Sequence, residues 1–166
     1  MSSYGAIIPC AKIPIFDKIT DNIFLGDIVA ASDSDLMKSI DIIISLIDTQ
    51  IKHSNIEYFI FPIEDNRDVQ IDLLFEKTND IIKKAIENNK KILIHCHNGV
   101  SRSVTILLAY FISKSFTLKE SLNIIKNNRI SKQYTRPNFG FMKQLIVYEK
   151  EILGTNSLTL KEFINC

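Results

Sequence analysis

Apolar residues recur along this chain in two rhythms, short unbroken runs and stripes spaced at three and four, and the two alternate from about Ile19 to Leu153. Asn22 to Leu25 predicts a short edge strand closed by Gly26, after which Ser32 or Ser34 can cap a short helix running through Ser39. Asp41 to Ile47 carries an almost continuous apolar run, the pattern of a strand buried on both faces. Ile56 to Ile63 is a second β-rich run, ended by Pro62 and the polar stretch Glu64 to Gln70. Leu73, Leu74, Phe75, Ile81, Ile82, Ala85 and Ile86 then return at helical spacing, and Asn88-Asn89 supplies a stop.

Lys91 to His95 predicts a short central strand, and the run from Ser103 to Ile112 predicts a largely buried helix. Thr117 and Glu120 form a capping box for a further helix to about Asn127. Pro137-Asn138 opens a helix with Phe139, Met142, Leu145, Ile146, Tyr148 and Ile152 toward a core, and Thr159 with Glu162 predicts a last short helix. Strands interleaved with helices mean a single α/β domain with a central, mostly parallel sheet flanked by helices. The expected division is an N-terminal extension over 1–18, a domain over 19–153 and a C-terminal extension over 154–166. The extension at the start has either its own domain or a second copy to pack on, which leaves a homodimer open.

Composition narrows the partners. The net charge is +1, and acidic and basic residues alternate without gathering in blocks, so nucleic acid and anionic membranes have no broad electrostatic footprint here. No apolar run reaches the length needed to cross a bilayer. Cys10, Cys96 and Cys166 are odd in number and far apart, which fits reduced thiols and makes the cytoplasm, or also the nucleus, the expected setting. Recognition of an anionic substrate must then be local.

The segment His95-Cys96-His97-Asn98-Gly99-Val100-Ser101-Arg102-Ser103 supplies a local device. A strand ends, a tight loop containing Gly99 follows, and a helix begins near Arg102. Inward-facing N–H groups of such a loop form an anion nest, and the helix start adds free N–H groups and a positive dipole end. A phosphate fits there, held by the backbone and side chains of His97, Asn98, Gly99, Val100, Ser101 and Arg102. The same field favours a negative sulfur on Cys96, which becomes a nucleophile at neutral pH. Arg102, six positions after Cys96, can grip two phosphate oxygens with its planar guanidinium, as a lysine could not. The Ser103 hydroxyl can donate to the sulfur when it leaves. His95 reads as a structural histidine bonded to the loop backbone.

Bland readings fit less well. A buried core cysteine needs neither Gly99 nor Arg102. Zinc needs a tetrahedral ligand set, and His53, Cys10 and Cys166 are isolated from the His95-Cys96-His97 trio. Ser103 and Asn138 are also common helix-start residues, and Asp65 alone would be a solvated loop carboxylate.

The nine-residue motif resembles the signature of the dual-specificity protein phosphatases. Asp21-Asn-Ile-Phe-Leu-Gly26 looks like that family's opening strand, and Phe61-Pro-Ile-Glu-Asp-Asn66 like its general-acid loop. Ala109-Tyr-Phe-Ile112 and Arg136-Pro-Asn-Phe-Gly-Phe141, with Leu145 and Glu149, are similar to its later segments, so the likeness covers about 19–153. The resemblance implies a cysteine-based phosphatase fold with its phosphate-binding loop between a strand and a helix. It implies a phosphocysteine mechanism without metal or cofactor, acting on phosphotyrosine and on phosphoserine or phosphothreonine in phosphorylated proteins. Asp65, 31 positions before Cys96, matches the general acid, with Asp68 as the second candidate, and Asn138 matches a position that braces the loop. Asn98 departs from the small residue, commonly alanine, that the family carries. A short chain without long insertions implies a shallow site, hence dual specificity. The alternatives are a phosphatase of phosphoinositides or RNA 5′ ends, which a lysine in the loop would favour, and a catalytically silent phosphoprotein-binding module.

Overall fold

The structure, a computed structural model, describes residues 13–50, 52–130 and 132–165. Five strands form one sheet: β1 (Phe16–Lys18), β2 (Ile23–Gly26), β3 (Ile42–Ser45), β4 (Glu57–Ile60) and β5 (Ile92–His95). Their order across the sheet is β1-β2-β5-β3-β4, with β2, β5, β3 and β4 parallel and β1 antiparallel to β2. This is the α/β architecture with a mostly parallel sheet that the sequence pattern predicts.

The continuous apolar runs are explained by burial on both faces. β2, β3 and β5 are buried at every position. The two-residue period sends Ile23, Leu25, Ile42, Ile44, Ile92 and Ile94 into the larger core, and Phe24, Ile43 and Leu93 into the smaller one on the opposite face. The larger core is closed by α3 (Phe75–Glu87), α4 (Arg102–Ser113), α5 (Leu118–Asn127) and α6 (Phe139–Leu153), and the smaller by α1 (Ile28–Ser32) and α2 (Ser34–Met37). α4 is buried from Ser103 through Ile112, so a helix apolar all round becomes the central pillar behind the Cys96 loop.

Several expectations change. Asn22 to Leu25 is not an edge: Phe16–Lys18, inside the segment read as an extension, pairs alongside β2 and makes the edge itself. The caps near Ser32 and Ser34 are Asp27 and Asp33, whose carboxylates accept from Ala30 N at 2.9 Å and from Asp35 N at 2.8 Å. Ser32 turns its hydroxyl back to Ile28 O at 2.7 Å. Leu73 belongs to a 3₁₀ turn, Ile71–Leu74, and is 74% exposed, so the apolar stripe of α3 begins at Phe75. In α6, Phe141, Met142 and Leu145 enter the core while Phe139 and Ile152 stay exposed.

Both capping boxes form, at Thr117 with Glu120 and at Thr159 with Glu162, the second starting α7 (Leu160–Ile164). The C-terminal extension returns to the domain through Leu158 and Phe163, both in the core. Glu149 is a fully buried carboxylate made tolerable by three donors: Leu118 N at 2.7 Å, Ser157 N at 2.9 Å and Ser157 Oγ at 2.5 Å. It ties α6 to the start of α5 and to the turn before α7.

Candidate active site

β5 runs into the Cys96 loop beyond the carboxyl ends of the parallel strands, the usual ligand position in such sheets. The loop's tight course depends on Gly99, which has φ +66° and lies so close to β2 that a Cβ would meet Gly26 O at 2.8 Å. Neighbouring strands and loops hold the rest by backbone hydrogen bonds. Leu46 N donates to His95 O at 3.0 Å, Ile28 N to His97 O at 3.2 Å and Arg136 N to Val100 O at 3.1 Å.

Cys96 is 1% exposed, and its Sγ accepts the Gly99 N–H at 3.2 Å and lies 3.3 Å from Ser103 Oγ. Both neighbours are donors suited to a sulfur anion. Arg102 opens α4 and donates through Nη1 to Ile63 O at 2.9 Å, while its buried Nε has no hydrogen-bond partner among the described residues. A guanidinium N–H buried in that state is poised for an acceptor such as a phosphate oxygen.

His95 is buried, and burial pushes its imidazole down to about 4, against weaker opposing effects of the Cys96 carbonyl and the Asp27 charge. The ring is therefore neutral at physiological pH. Its Nδ1 lies 3.2 Å from Cys96 O, which can only accept, so Nδ1 carries the proton and the ring acts on the loop backbone rather than as a cation beside the sulfur.

Asp65 sits on the exposed segment after β4, and its Oδ1 accepts from Ser101 Oγ and Asn138 Nδ2, both at 2.8 Å. Ser101 Oγ in turn accepts from Asn138 N at 3.0 Å. The carboxylate is thus bonded to the phosphate loop and to the start of α6 at once. Asp68 is not: its backbone N closes a turn onto Asn66 Oδ1 at 3.0 Å, and it borders a different hollow, with Arg67, Gly140 and Lys143. Asn138 has both roles open to it from sequence, since its Oδ1 also caps α6 by accepting from Phe141 N at 3.0 Å. His97 and Asn98 lie exposed on the rim, the ring Nδ1 donating to Asn98 Oδ1 at 3.2 Å.

A hollow of about 640 Å³ opens over Asp65, Asn98, Val100 and Ser101, walled by Tyr134, Arg136 and Phe139. Three features escape the sequence reading. Ser101 binds the Asp65 carboxylate rather than only lining the loop. Phe139 faces the hollow rather than a core, being 47% exposed. Gly140 meets the Asp65 segment backbone to backbone, since a Cβ there would lie 1.8 Å from Arg67 O. A glycine inside a helical apolar pattern was the available signal for the last. Cys10 and Cys166 lie outside the described residues.

Comparison with known proteins agrees with this geometry. The sequence model of the dual specificity phosphatase catalytic domain matches residues 23–151. Rat dual specificity protein phosphatase 5 is 34% identical over 157 residues, which are 89% of this chain and 40% of the rat protein, so the chain spans less than half of that relative. Human dual specificity protein phosphatase 21 is 32% identical over 165 residues, 96% of this chain and 84% of the human protein. The crystal structure of human DUSP28 superposes with a TM-score of 0.76 at 21% identity, covering 86% of this chain and 97% of that one, a likeness of fold. On its signature loop, its sheet order and these matches, the chain belongs to the dual specificity phosphatase catalytic-domain family.

Proposed function

We propose that this protein hydrolyses phosphotyrosine and phosphoserine or phosphothreonine in proteins through a phosphocysteine intermediate. The observation that carries the reading is the convergence on one loop of three groups. They are a buried sulfur accepting from Gly99 N–H, the unpartnered Arg102 Nε, and a carboxylate held at Ser101. In the first step the Cys96 thiolate attacks phosphorus, the P–O bond to the substrate breaks, and Asp65 gives its proton to the leaving oxygen. In the second, water attacks phosphorus, Asp65 takes a proton from it, and the S–P bond breaks to return the thiolate, with the Ser103 hydroxyl 3.3 Å away to stabilise it. Arg102 and the loop N–H groups bind the equatorial oxygens as charge redistributes.

Support for dual specificity comes from the rim: Asp65, Asn98 and Arg136 are exposed around a hollow that, among the described residues, no long insertion covers, so a short phosphoserine reaches as well as a long phosphotyrosine. A reduced thiolate fits the cytoplasm or nucleus. The test is phosphate release from matched phosphotyrosine and phosphothreonine peptides in EDTA. Wild type is expected to turn over both, Cys96→Ser to be inactive, and Asp65→Asn to be slower by about a hundredfold or more. A folded wild type inactive on both peptides would overturn the reading.

A further inference from the structure

One face of α6 follows the segment that carries Asp65, contact by contact. At the cap of the helix, Asn138 Nδ2 donates to Asp65 Oδ1 at 2.8 Å. Gly140 comes next and lies against the Arg67 backbone. About one turn further on, the Gln144 amide makes two bonds of opposite kind. Its Nε2 donates to Val69 O at 2.8 Å, and its Oε1 accepts from Asp72 N at 3.0 Å. Gly140 and Gln144 are four positions apart and so stand on one face of the helix.

The Gln144 contact falls where the exposed segment rejoins the core. Asp68 is exposed, Val69 is half-buried and Ile71 is fully buried. An amide is the neutral side-chain group that offers donors and an acceptor together, and its two partners here, a carbonyl and an N–H, fix which way it points. A carboxylate or a hydrocarbon of the same length could not hold both.

What Gln144 holds is carried back to Asp65 by the segment's own bonds. Val69 N donates to Asn66 O at 3.1 Å and Asp68 N to Asn66 Oδ1 at 3.0 Å, which closes residues 66–69 into a turn. A closed turn moves as a unit, so a shift of Val69 displaces Asn66 and with it the neighbouring Asp65. The bonds that Asp65 accepts from Ser101 and Asn138 weaken steeply with such a displacement. Gln144 does not line the hollow over the Cys96 loop, so an effect of Gln144 on the chemistry has to pass through the segment it holds.

We propose that Gln144 is a positioning residue for general-acid catalysis, its amide fixing the far end of the Asp65 segment and thereby the placement of the Asp65 carboxyl against the leaving oxygen. The assignment rests on the reading of Asp65 as the acid and adds to it a residue outside both the hollow and the signature loop.

The experiment measures kcat/KM for a series of aryl phosphates whose leaving phenols range from strongly to weakly acidic. The enzymes are wild type, Asp65→Asn, Gln144→Met and the double variant Asp65→Asn/Gln144→Met. Only the weakly acidic phenols need a proton in order to leave, so the slope across the series reads the acid. Gln144→Met keeps the length of the side chain and removes both bonds. It is expected to lose roughly tenfold on the weakly acidic phenol and much less on the strongly acidic one. In the Asp65→Asn background the same substitution should cost nothing further, because a residue that acts through Asp65 has nothing left to act on. Gln144→Glu keeps the acceptor for Asp72 N but turns an oxygen toward Val69 O, and should show the same loss as Gln144→Met. Equal losses at both ends of the series, or an undiminished loss in the Asp65→Asn background, would overturn the positioning role and leave Asp65 as the acid. A folded Gln144→Met or Gln144→Glu enzyme with the wild-type slope would do the same. If Asp65→Asn itself keeps the wild-type slope, the reading of Asp65 as the acid falls and the assignment of Gln144 falls with it.

Discussion

The loop from Cys96 to Ser101 is anchored by backbone hydrogen bonds from Ile28 at the start of α1 and from Arg136 in the turn before α6, and its sulfur is buried. The segment from Glu64 to Asp68 is exposed throughout, and Asp65 is held at the site by two side-chain donors, between Ile63, whose backbone is bonded to Leu46 O and Arg102 Nη1, and Arg67, which lies against Gly140. The first is rigid by construction, as a nest that must bind a dianion and stabilise its transition state should be. The second is tied down mainly by side-chain donors on an exposed segment, which suits the proposed role of an acid that admits substrate and releases product. The proposed nucleophile and acid thus meet in one site while being held in different ways.

Gly99→Ala attacks the rigid half. It forces a side chain into a left-handed conformation and against Gly26, and is expected to lower turnover of aryl phosphate and phosphopeptide alike by about a hundredfold, with a loss of about 1–3 kcal/mol in thermal or urea unfolding. Gly140→Ala attacks the light half by pushing Arg67 away. Peptide turnover should fall by roughly tenfold to a hundredfold while an aryl phosphate with a good leaving group, which needs little protonation, is much less affected. If both substrates suffer equally, the two loops are not separable. Asn138→Asp sharpens the point by keeping a cap for α6 while placing a carboxylate beside Asp65. Peptide kcat should drop by about tenfold, with thermal stability nearer wild type than that of Asn138→Ala, which also loses a cap of about 1 kcal/mol.

A last prediction concerns stability against pH. His95 is held down at about 4 in the fold, below its ordinary value of 6.5. Between those values the unfolded chain binds the proton first, so the contribution is fully present above pH 6.5 and declines as the pH falls toward 4. The loss is on the order of 3 kcal/mol across that window. Urea titrations from pH 7 to pH 4.5 should show it, and His95→Gln, which keeps a donor for Cys96 O, should flatten the slope.

What could be read from sequence follows the same division. The Cys96 loop is contiguous, so nucleophile, glycine, arginine and serine announce themselves by spacing, and the buried strands β3 and β5 by unbroken apolar runs. The acid half is assembled from three separated segments. Nothing local in Asp65 distinguishes it from Asp68, and only the donors Ser101 and Asn138, 36 and 73 positions away, select it. Phe139 was indistinguishable from the core residues that follow it, because a helical stripe does not say where the core ends. β1 is three residues long and gains its place only by pairing with β2, a long-range choice that no local propensity records.

The most direct test of the central claim is rapid-quench mass spectrometry of Asp65→Asn during hydrolysis of an aryl phosphate. Loss of the base that activates water should let the intermediate accumulate, so the account predicts one phosphoryl group mapping to Cys96 and absent from Cys96→Ser. Turnover with no phosphorylated Cys96, or with the label on another residue, would contradict it.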